Sequence, residues 1–209
     1  MIGEHLDTGA QIAIMILAAG ASSRMKGRDK LLEQVDGIPL LRRQALRAQA
    51  SGCAVLVALP PPPHDRYAAL EGLSVTPIPV ADAAEGINAS LRAGLAAVSP
   101  HVNAVMVLLA DMPDITENDI KSILQAVDLK SENLIWRATT DTGKGGHPIV
   151  FHRQLFADLS ALRGDEGGSP VVKANRARTL DVPLPDTHAR LDLDTPEAWA
   201  QWRALRKAI

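Results

Sequence analysis

The chain has 209 residues, a formal net charge of −2 and a composition that is 46% hydrophobic and 3% aromatic. This length suits one large α/β domain, and near-neutral charge without a basic tract argues against a dedicated nucleic-acid binder. The single cysteine, Cys53, excludes an internal disulfide and indicates a cytoplasmic protein, and no apolar run approaches the roughly 18–20 residues that cross a bilayer.

The hydrophobic pattern predicts strands and helices in alternation. Continuous apolar runs are typical of strands buried on both faces, and apolar residues at helical spacing indicate amphipathic helices. After a flexible leader at 1–11, the predicted strands are 12–17, 53–59, 74–79, 102–109, 133–138, 148–151, 178–182 and 190–193, and the predicted helices are 40–51, 65–71, 87–98, 116–127, 154–162, 170–175 and 197–207. We therefore expect βαβ units, a parallel sheet and a single domain over 12–209.

The strongest motif follows the first strand, where residues 17–30 read L-A-A-G-A-S-S-R-M-K-G-R-D-K. Small residues let backbone N–H groups approach an anion, and basic side chains supply the charge that a polyphosphate needs. In open α/β sheets, ligands bind beyond the carboxyl ends of strands, where this loop must lie. The P-loop pattern and the dinucleotide pattern G-x-G-x-x-G are both absent. The alternative interpretation is a solvated loop whose basic residues are incidental.

An aspartate directly follows the strand predicted at 102–109, where residues 107–113 read V-L-L-A-D-M-P. A carboxylate beyond a buried strand is costly unless it is solvated, paired or bound to a metal. Asp114 already serves the turn, and Thr116 caps the next helix. Asp111 therefore has no structural role that the sequence can supply.

A second acidic motif stands near the carboxyl end, where residues 191–197 read L-D-L-D-T-P-E. Asp192 and Asp194 alternate with leucine and project to one side of the predicted strand. Thr195 and Pro196 are explained as the cap and first residue of a helix, which leaves Asp194 free.

Three glycine-containing segments complete the pattern: E-G-I-N-A-S-L-R-A-G-L at 85–95, G-G-H-P-I-V-F at 145–151 and L-R-G-D-E-G-G-S at 162–169. Taken alone, the first is an ordinary amphipathic helix with a glycine at its entry. A lone histidine, as in the second, is usually a structural residue. A histidine-proline pair after two glycines beside an expected cleft nevertheless favours a place in the site.

Together these motifs resemble the molybdenum-cofactor nucleotidyltransferases, the MobA-like NTP transferase family, over nearly the whole chain. L-A-A-G-x-S-x-R-M followed closely by D-K-L is the most specific of them. The resemblance implies an α/β fold of the nucleotide-diphosphosugar transferase type, a Rossmann-like three-layer sandwich with a mostly parallel mixed sheet.

The resemblance also implies roles for individual residues. Arg24, Lys30 and Asp111 would be catalytic, the two cations holding phosphates. Asp111 and Asp194 would ligate Mg²⁺, with Asp192 as the fallback, because Mg²⁺ takes few carboxylates and fills its other positions with phosphate oxygens and water. The residues implied to line the nucleotide are Leu17, Ala18, Ala19, Gly20, Arg24, Lys30, Gly86 and Ser90.

Gly86 and Ser90 would contact the nucleotide at a helix N-terminus whose dipole faces the ligand. Gly146 and His147 would stand on the acceptor side. Lys26 and Arg28 are further cations for which neither the residues nor the resemblance supplies a role.

The segments at 85–95 and 145–151 resemble the cytidylyltransferase branch of the family. They imply transfer of CMP from CTP to the phosphate of molybdopterin, with release of pyrophosphate and possible delivery to a molybdoenzyme apoprotein. In the third segment, Gly168 and Ser169 stand where alanine and arginine are common, which leaves the acceptor open. The alternatives are a GTP-dependent guanylyltransferase of the same fold, a transferase for another phosphate acceptor, and a molybdenum-cofactor-binding chaperone without chemistry. Neither nucleic acid nor membrane is an expected partner.

Overall fold

A seven-stranded mixed sheet forms the centre of the protein, in a computed structural model that describes residues 11–207. The strands are β1 (Ile12–Leu17), β2 (Gln34–Val35), β3 (Ile38–Pro39), β4 (Ala54–Leu59), β5 (Thr76–Pro79), β6 (Ala104–Leu109), β7 (Ile135–Thr139), β8 (Gly145–His152) and β9 (Thr179–Pro183). The sheet has the order β5-β4-β1-β6-β8-β7-β9, and β2 pairs only with β3. All neighbours in the sheet are parallel except β8, which runs antiparallel to both β6 and β7.

Helices pack on both faces of this sheet. They are α1 (Leu40–Gln49), α2 (Ile87–Ala97), α3 (Glu117–Ala126), α4 (Phe156–Ala161), α5 (Ser169–Ala174) and α6 (Pro196–Lys207). Short 3₁₀ turns lie at Ser23–Met25, Ala68–Leu70, Ala83–Glu85, Arg153–Leu155 and Arg176–Arg178. In the part of the chain that the structure describes, no helix is both long and apolar enough to cross a membrane.

Side chains of β1 alternate between two apolar cores. Ile12, Ile14 and Ile16 join the core beneath α1 and α3, whereas Met15 and Leu17 join the core beneath α2, α4 and α5. Because helices cover both faces, the strand reads as a continuous apolar run rather than an alternating one. The predicted three-layer α/β fold with a mostly parallel mixed sheet is confirmed.

Two local predictions are wrong, and one element was not predicted. The predicted helix at 65–71 is only the turn Ala68–Leu70, and the predicted strand at 190–193 is irregular, since Leu193 N donates to the Asp111 carbonyl at 3.1 Å and not to a neighbouring strand. The hairpin β2–β3 was not predicted, although its turn residues Asp36 and Gly37 both have positive φ, 52° and 82°. An Asp-Gly pair with positive φ at both positions is a strong hairpin signal.

Most of the predicted flexible leader, residues 1–10, lies outside the described residues. Its last residue, Gln11, is held in place, because Asn103 N donates to its carbonyl at 2.7 Å.

A third apolar core packs the loop after β1 against the C-terminal helix α6. Met25, in the loop after β1, is fully buried against Trp199 and Trp202 of α6. The two indole rings are arranged edge to face, with their centroids 5.7 Å apart. Leu193, next to the predicted metal ligand Asp194, belongs to the same core. The loop after β1 and the acidic segment before α6 therefore pack on the same apolar core.

We predict that Trp199→Ala lowers the free energy of unfolding by about 3–5 kcal/mol, because it empties a fully buried site. Urea denaturation followed by circular dichroism measures the change. Leu205→Ala on the same helix is the matched control, since Leu205 is 70% exposed and its loss should cost less than about 0.5 kcal/mol. Equal losses in the two variants would contradict an anchoring role for Trp199.

Candidate active site

The loop after β1 is fixed by a buried arginine that the sequence analysis did not single out. Arg66 is 1% exposed, and its guanidinium grips both carboxylate oxygens of Asp29, through Nε at 2.7 Å and Nη2 at 2.8 Å. Nη1 donates to the Ala18 carbonyl at 2.6 Å, and Nη2 also donates to Ser22 Oγ at 3.0 Å. One side chain thus ties together the beginning, middle and end of the loop.

Hydrogen bonds to Asp29 and Ser22 hold residues that follow them in the chain. Its Oδ1 accepts from Leu31 N at 2.9 Å, while Lys30 N donates to Ser22 Oγ at 3.2 Å. Burial acts to raise the pKa of Asp29, but Arg66 holds it below its ordinary value, so the pair is ionised. The main chain on both sides of Lys30 is therefore fixed before any ligand binds.

Three carboxylates converge at the carboxyl end of β6. Asp111, Asp192 and Asp194 each offer an oxygen, and these atoms all lie within 4.8 Å of one another. The hydrogen bond from Leu193 N to the Asp111 carbonyl sets the two acidic motifs side by side. Thr195 Oγ1 caps α6 by accepting from Ala198 N at 3.1 Å, the structural role that its sequence position indicates.

Gly146 makes the approach of the acidic segment possible. A Cβ at this position would lie 1.8 Å from the Ala189 carbonyl oxygen, which also accepts from His147 N at 2.8 Å. Just before this contact, His188 Nδ1 lies 2.9 Å from the buried carboxylate of Asp119. The segment before Asp192 is therefore held by two contacts, one from Ala189 to β8 and one from His188 to α3.

The predicted phosphate-binding cations are paired with the predicted metal ligands. Lys30 Nζ lies 2.5 Å from both Asp111 and Asp194, and Arg24 forms an ion pair with Asp194. Burial acts to lower the pKa of Lys30, but the two carboxylates outweigh it and raise that pKa. Burial acts to raise the pKa of Asp194, yet Lys30, Asp192 and Arg24 together lower it.

The pKa of Asp192 is shifted upward, in the opposite direction to that of Asp194. Loss of hydration, followed by the neighbouring carboxylates Asp194 and Asp111, raises its pKa. Crowded carboxylate oxygens of this kind suit a hard divalent cation such as Mg²⁺. The ammonium of Lys30 balances part of this negative charge in the structure.

A cavity of about 600 Å³ opens between the loop and the N-terminal end of α2; we call it the donor cavity. Its lining includes most of the residues predicted for the nucleotide, namely Leu17, Ala18, Gly20, Arg24, Lys30, Gly86 and Ser90, together with Asp111 and Asp194. Ala19 is the exception in that set, because its side chain packs into the apolar core beneath α2.

The role expected for the N-terminal dipole of α2 stays a prediction, and two of the N–H groups at that end have partners within the protein. Ile87 N donates to Asp165 Oδ1 at 2.9 Å, and Asn88 N donates to the Gly164 carbonyl at 3.3 Å. These donors are therefore already used within the protein. Gly86 is required there because its φ is +119° and a Cβ would lie 2.8 Å from the Gly164 oxygen.

Lys26 and Arg28 have partners outside the donor cavity. Lys26 Nζ lies 2.6 Å from Glu197 of α6, and Arg28 lies 3.0 Å from Glu33. Neither lines the donor cavity. The pair of Lys26 and Glu197 is exposed on both sides, and such pairs contribute little to stability, whereas Glu33 is mostly buried and also pairs with Arg203.

A second cavity, of about 520 Å³, lies on the other side of Asp111 and includes Gly146 and His147 in its lining; we call it the acceptor cavity. Burial lowers the pKa of His147 to about 4, so the ring is neutral at pH 7, and its buried Nδ1 has no partner among the described residues. The residue can offer a hydrogen bond there but no positive charge.

Residues 14–180 match the model of the MobA-like NTP transferase domain. The chain belongs to the MobA-like NTP transferase family. A probable molybdenum cofactor guanylyltransferase of Synechococcus elongatus is 31% identical over 199 residues, which cover 90% of this chain and 95% of that protein. A molybdenum cofactor guanylyltransferase of Cupriavidus metallidurans is 26% identical and covers 87% and 89% of the two chains.

Solved structures agree with this assignment. The crystal structure of Rv0371c from Mycobacterium tuberculosis is similar with a TM-score of 0.75 and 26% identity, over 92% of this chain and 97% of that chain. Membership of the MobA-like family confirms the resemblance that the motifs indicated, and nucleotidyl transfer is the class of chemistry that it brings. The residue roles remain predictions that rest on the geometry above.

Replacing the buried arginine should weaken nucleotide binding. In Arg66→Lys a single ammonium cannot hold Asp29, Ser22 and the Ala18 carbonyl together, so the loop loses its fixed shape. We expect the dissociation constant of the nucleoside triphosphate with Mg²⁺ to rise about tenfold or more, as measured by titration calorimetry.

Arg42→Lys is the matched control for this prediction. Arg42 also donates to main-chain carbonyls, those of Ala69 at 3.0 Å and Glu71 at 2.9 Å, but it does not contact the loop. Its replacement should lower stability without changing nucleotide affinity. An equal loss of affinity in both variants would show that Arg66 acts only through general stability.

The depressed pKa of His147 predicts a dependence of stability on pH. Between its ordinary value of 6.5 and about 4, the unfolded chain binds a proton that the folded chain excludes. The free energy of unfolding should therefore fall as pH falls through this window, by at most about 3 kcal/mol. Urea denaturation across pH 4–7 should show a smaller fall for His147→Gln than for the wild type. The exposed His101→Gln is the control and should keep the wild-type slope; a wild-type slope in both variants contradicts the prediction.

Proposed function

We propose that this chain transfers a nucleoside monophosphate from a nucleoside triphosphate, with GTP as the first candidate donor, to the phosphate of molybdopterin, and releases pyrophosphate. The observation that carries the proposal is the junction of the two cavities. Asp111 and Leu109 line both of them, so a single carboxylate faces a loop of the phosphate-binding type on one side and a separate chamber on the other.

The relatives support both the acceptor and guanylyl transfer. The proteins of Synechococcus elongatus and Cupriavidus metallidurans are named for guanylyl transfer to the molybdenum cofactor, and the matches cover at least 87% of this chain. The acceptor cavity of about 520 Å³ lies within the usual volume of small-molecule sites.

CTP is the second candidate donor, although the sequence motifs alone favoured it over GTP. The specific observation in its favour is that Gly86 and Ser90, from the segment that resembles the cytidylyltransferase branch, both line the donor cavity. Base recognition therefore depends on a direct comparison of the two nucleotides.

The chemistry needs positioning more than proton transfer. An oxygen of the acceptor phosphate attacks the α-phosphorus, the bond from that phosphorus to the bridging oxygen breaks, and pyrophosphate leaves with the electron pair. A phosphate monoester is already ionised near neutral pH, so no general base is required. The neutral His147 is consistent with a role in orienting the acceptor rather than in accepting a proton.

Charge neutralisation falls to residues that now pair with one another. Arg24 and Lys30 would leave their carboxylates for the phosphates of the bound nucleotide, and Asp111 and Asp194 would then hold Mg²⁺, with Asp192 beside them. The ion would supply a Lewis acid for the phosphate oxygens. Because Arg66 fixes the loop, the two cations can change partners while the main chain stays in place.

Removing one carboxylate charge should abolish turnover. We expect Asp111→Asn to lower the rate of pyrophosphate release about 100-fold or more while the fold is unchanged, since charge stabilisation of this size is typical of such sites. A coupled pyrophosphate assay with GTP, Mg²⁺ and molybdopterin measures the rate. Asp158→Asn, on the exposed side of α4, is the control. Wild-type turnover by Asp111→Asn would refute the assignment of this carboxylate.

The same assay distinguishes the donors and the alternatives. Parallel reactions with GTP, CTP, UTP and ATP should give product with GTP; selective use of CTP would favour the second candidate. Pyrophosphate release with another phosphate monoester but not with molybdopterin would overturn the acceptor. Binding of molybdopterin without pyrophosphate release from any nucleotide would favour a chaperone.

A further inference from the structure

The wall of the acceptor cavity gathers positive charge from four separate elements. Arg137 lies on β7, Lys173 on α5, Arg176 in the turn after α5 and Arg190 in the segment before the acidic motif, and all four line the same cavity. We call these residues the cationic wall. They come from three separate stretches of the sequence, around residues 137, 173–176 and 190, so no single motif places them there.

The cationic wall has few negative partners among the described residues. Asp181 pairs with Arg176 at 2.6 Å, while Arg190 donates only to the Gly145 carbonyl at 2.9 Å. Lys173 and Arg137 form no ion pair within residues 11–207, and the buried Nε of Arg137 has no hydrogen-bond partner there. Asp111 and Asp192 also line the acceptor cavity, so its four cations exceed the carboxylates among its lining residues.

Like charges repel within this group. Burial lowers the pKa of Arg137, and so do Arg176 and Arg190, whereas Asp181 is the carboxylate that opposes them. Such an arrangement is costly unless an anion occupies it.

Lys173 stands on the side of α5 that faces the acceptor cavity. Ser169 precedes it by four residues on the same helix, residues four apart share a helix face, and both line the cavity.

We propose that the cationic wall binds a second anionic group of the acceptor, at the end remote from the phosphate that reacts. This inference rests on the proposed function for the identity of the acceptor, but not for the presence of the anion subsite. The reacting phosphate must lie by Asp111 and Lys30, so the wall is available to another negatively charged group. The ligand class is therefore an acceptor that carries charge at both ends.

Kinetics of charge reversal test the proposal. Lys173 is exposed, so Lys173→Glu should fold normally, and Lys130→Glu in a remote exposed loop is its matched control. We expect KM for molybdopterin to rise about tenfold or more in Lys173→Glu, with kcat and KM for the nucleotide unchanged, because a charge-assisted contact is lost. The control should match the wild type. An unchanged KM for molybdopterin, or a fall in kcat alone, would overturn the proposal.

A labelling experiment tests the subsite without catalysis. Acetic anhydride modifies exposed lysines, and mass spectrometry compares Lys173 with Lys130 in the same sample. Sulfate, as the probe anion at constant ionic strength, should protect Lys173 and leave Lys130 reactive. Protection without any turnover on molybdopterin would support the subsite and refute the proposed function. Equal labelling of Lys173 with and without sulfate would overturn the subsite.

Discussion

The buried ion pair of Arg66 and Asp29 is the constraint on which the site depends. A guanidinium has enough donors, in a fixed fork, to bind a carboxylate with two nitrogens and a main-chain carbonyl with the third. Removing either partner leaves an uncompensated charge in the interior. The chain therefore fixes the backbone of the loop after β1 from within the protein, while the side chain of Arg24, which is 68% exposed, pairs with Asp194 at the protein surface.

Acidic and basic side chains form separate clusters within a small region of this protein, although its net charge is only −2. Three carboxylates stand where the two cavities meet, and basic side chains stand on either side of them. The antiparallel strand β8 makes this possible, because Gly146 at its start allows the acidic segment to approach the end of β6. Composition hides this arrangement, since the charges cancel in the total.

The sequence predicts the parts that depend on local patterns. Buried strands such as β1 are continuous apolar runs, and the loop and the two acidic motifs follow strands that the hydrophobic pattern identifies. The strand predicted at 190–193 failed because alternating leucine and aspartate imitate a strand, although the chain there bonds to Asp111. Arg66 could not be predicted, since 37 residues separate it from Asp29 and only the tertiary fold brings them together.

The position of Lys30 has a thermodynamic consequence. Its ammonium bridges Asp111 and Asp194, so a divalent cation held by these carboxylates, as proposed, would have to compete with it for the same oxygens. A triphosphate that drew Lys30 away would remove the competitor. Under the proposed function, nucleotide and metal would therefore favour one another's binding, and by linkage the coupling would be reciprocal. Departure of pyrophosphate would let the ammonium return, which would disfavour retention of the ion before the next donor binds.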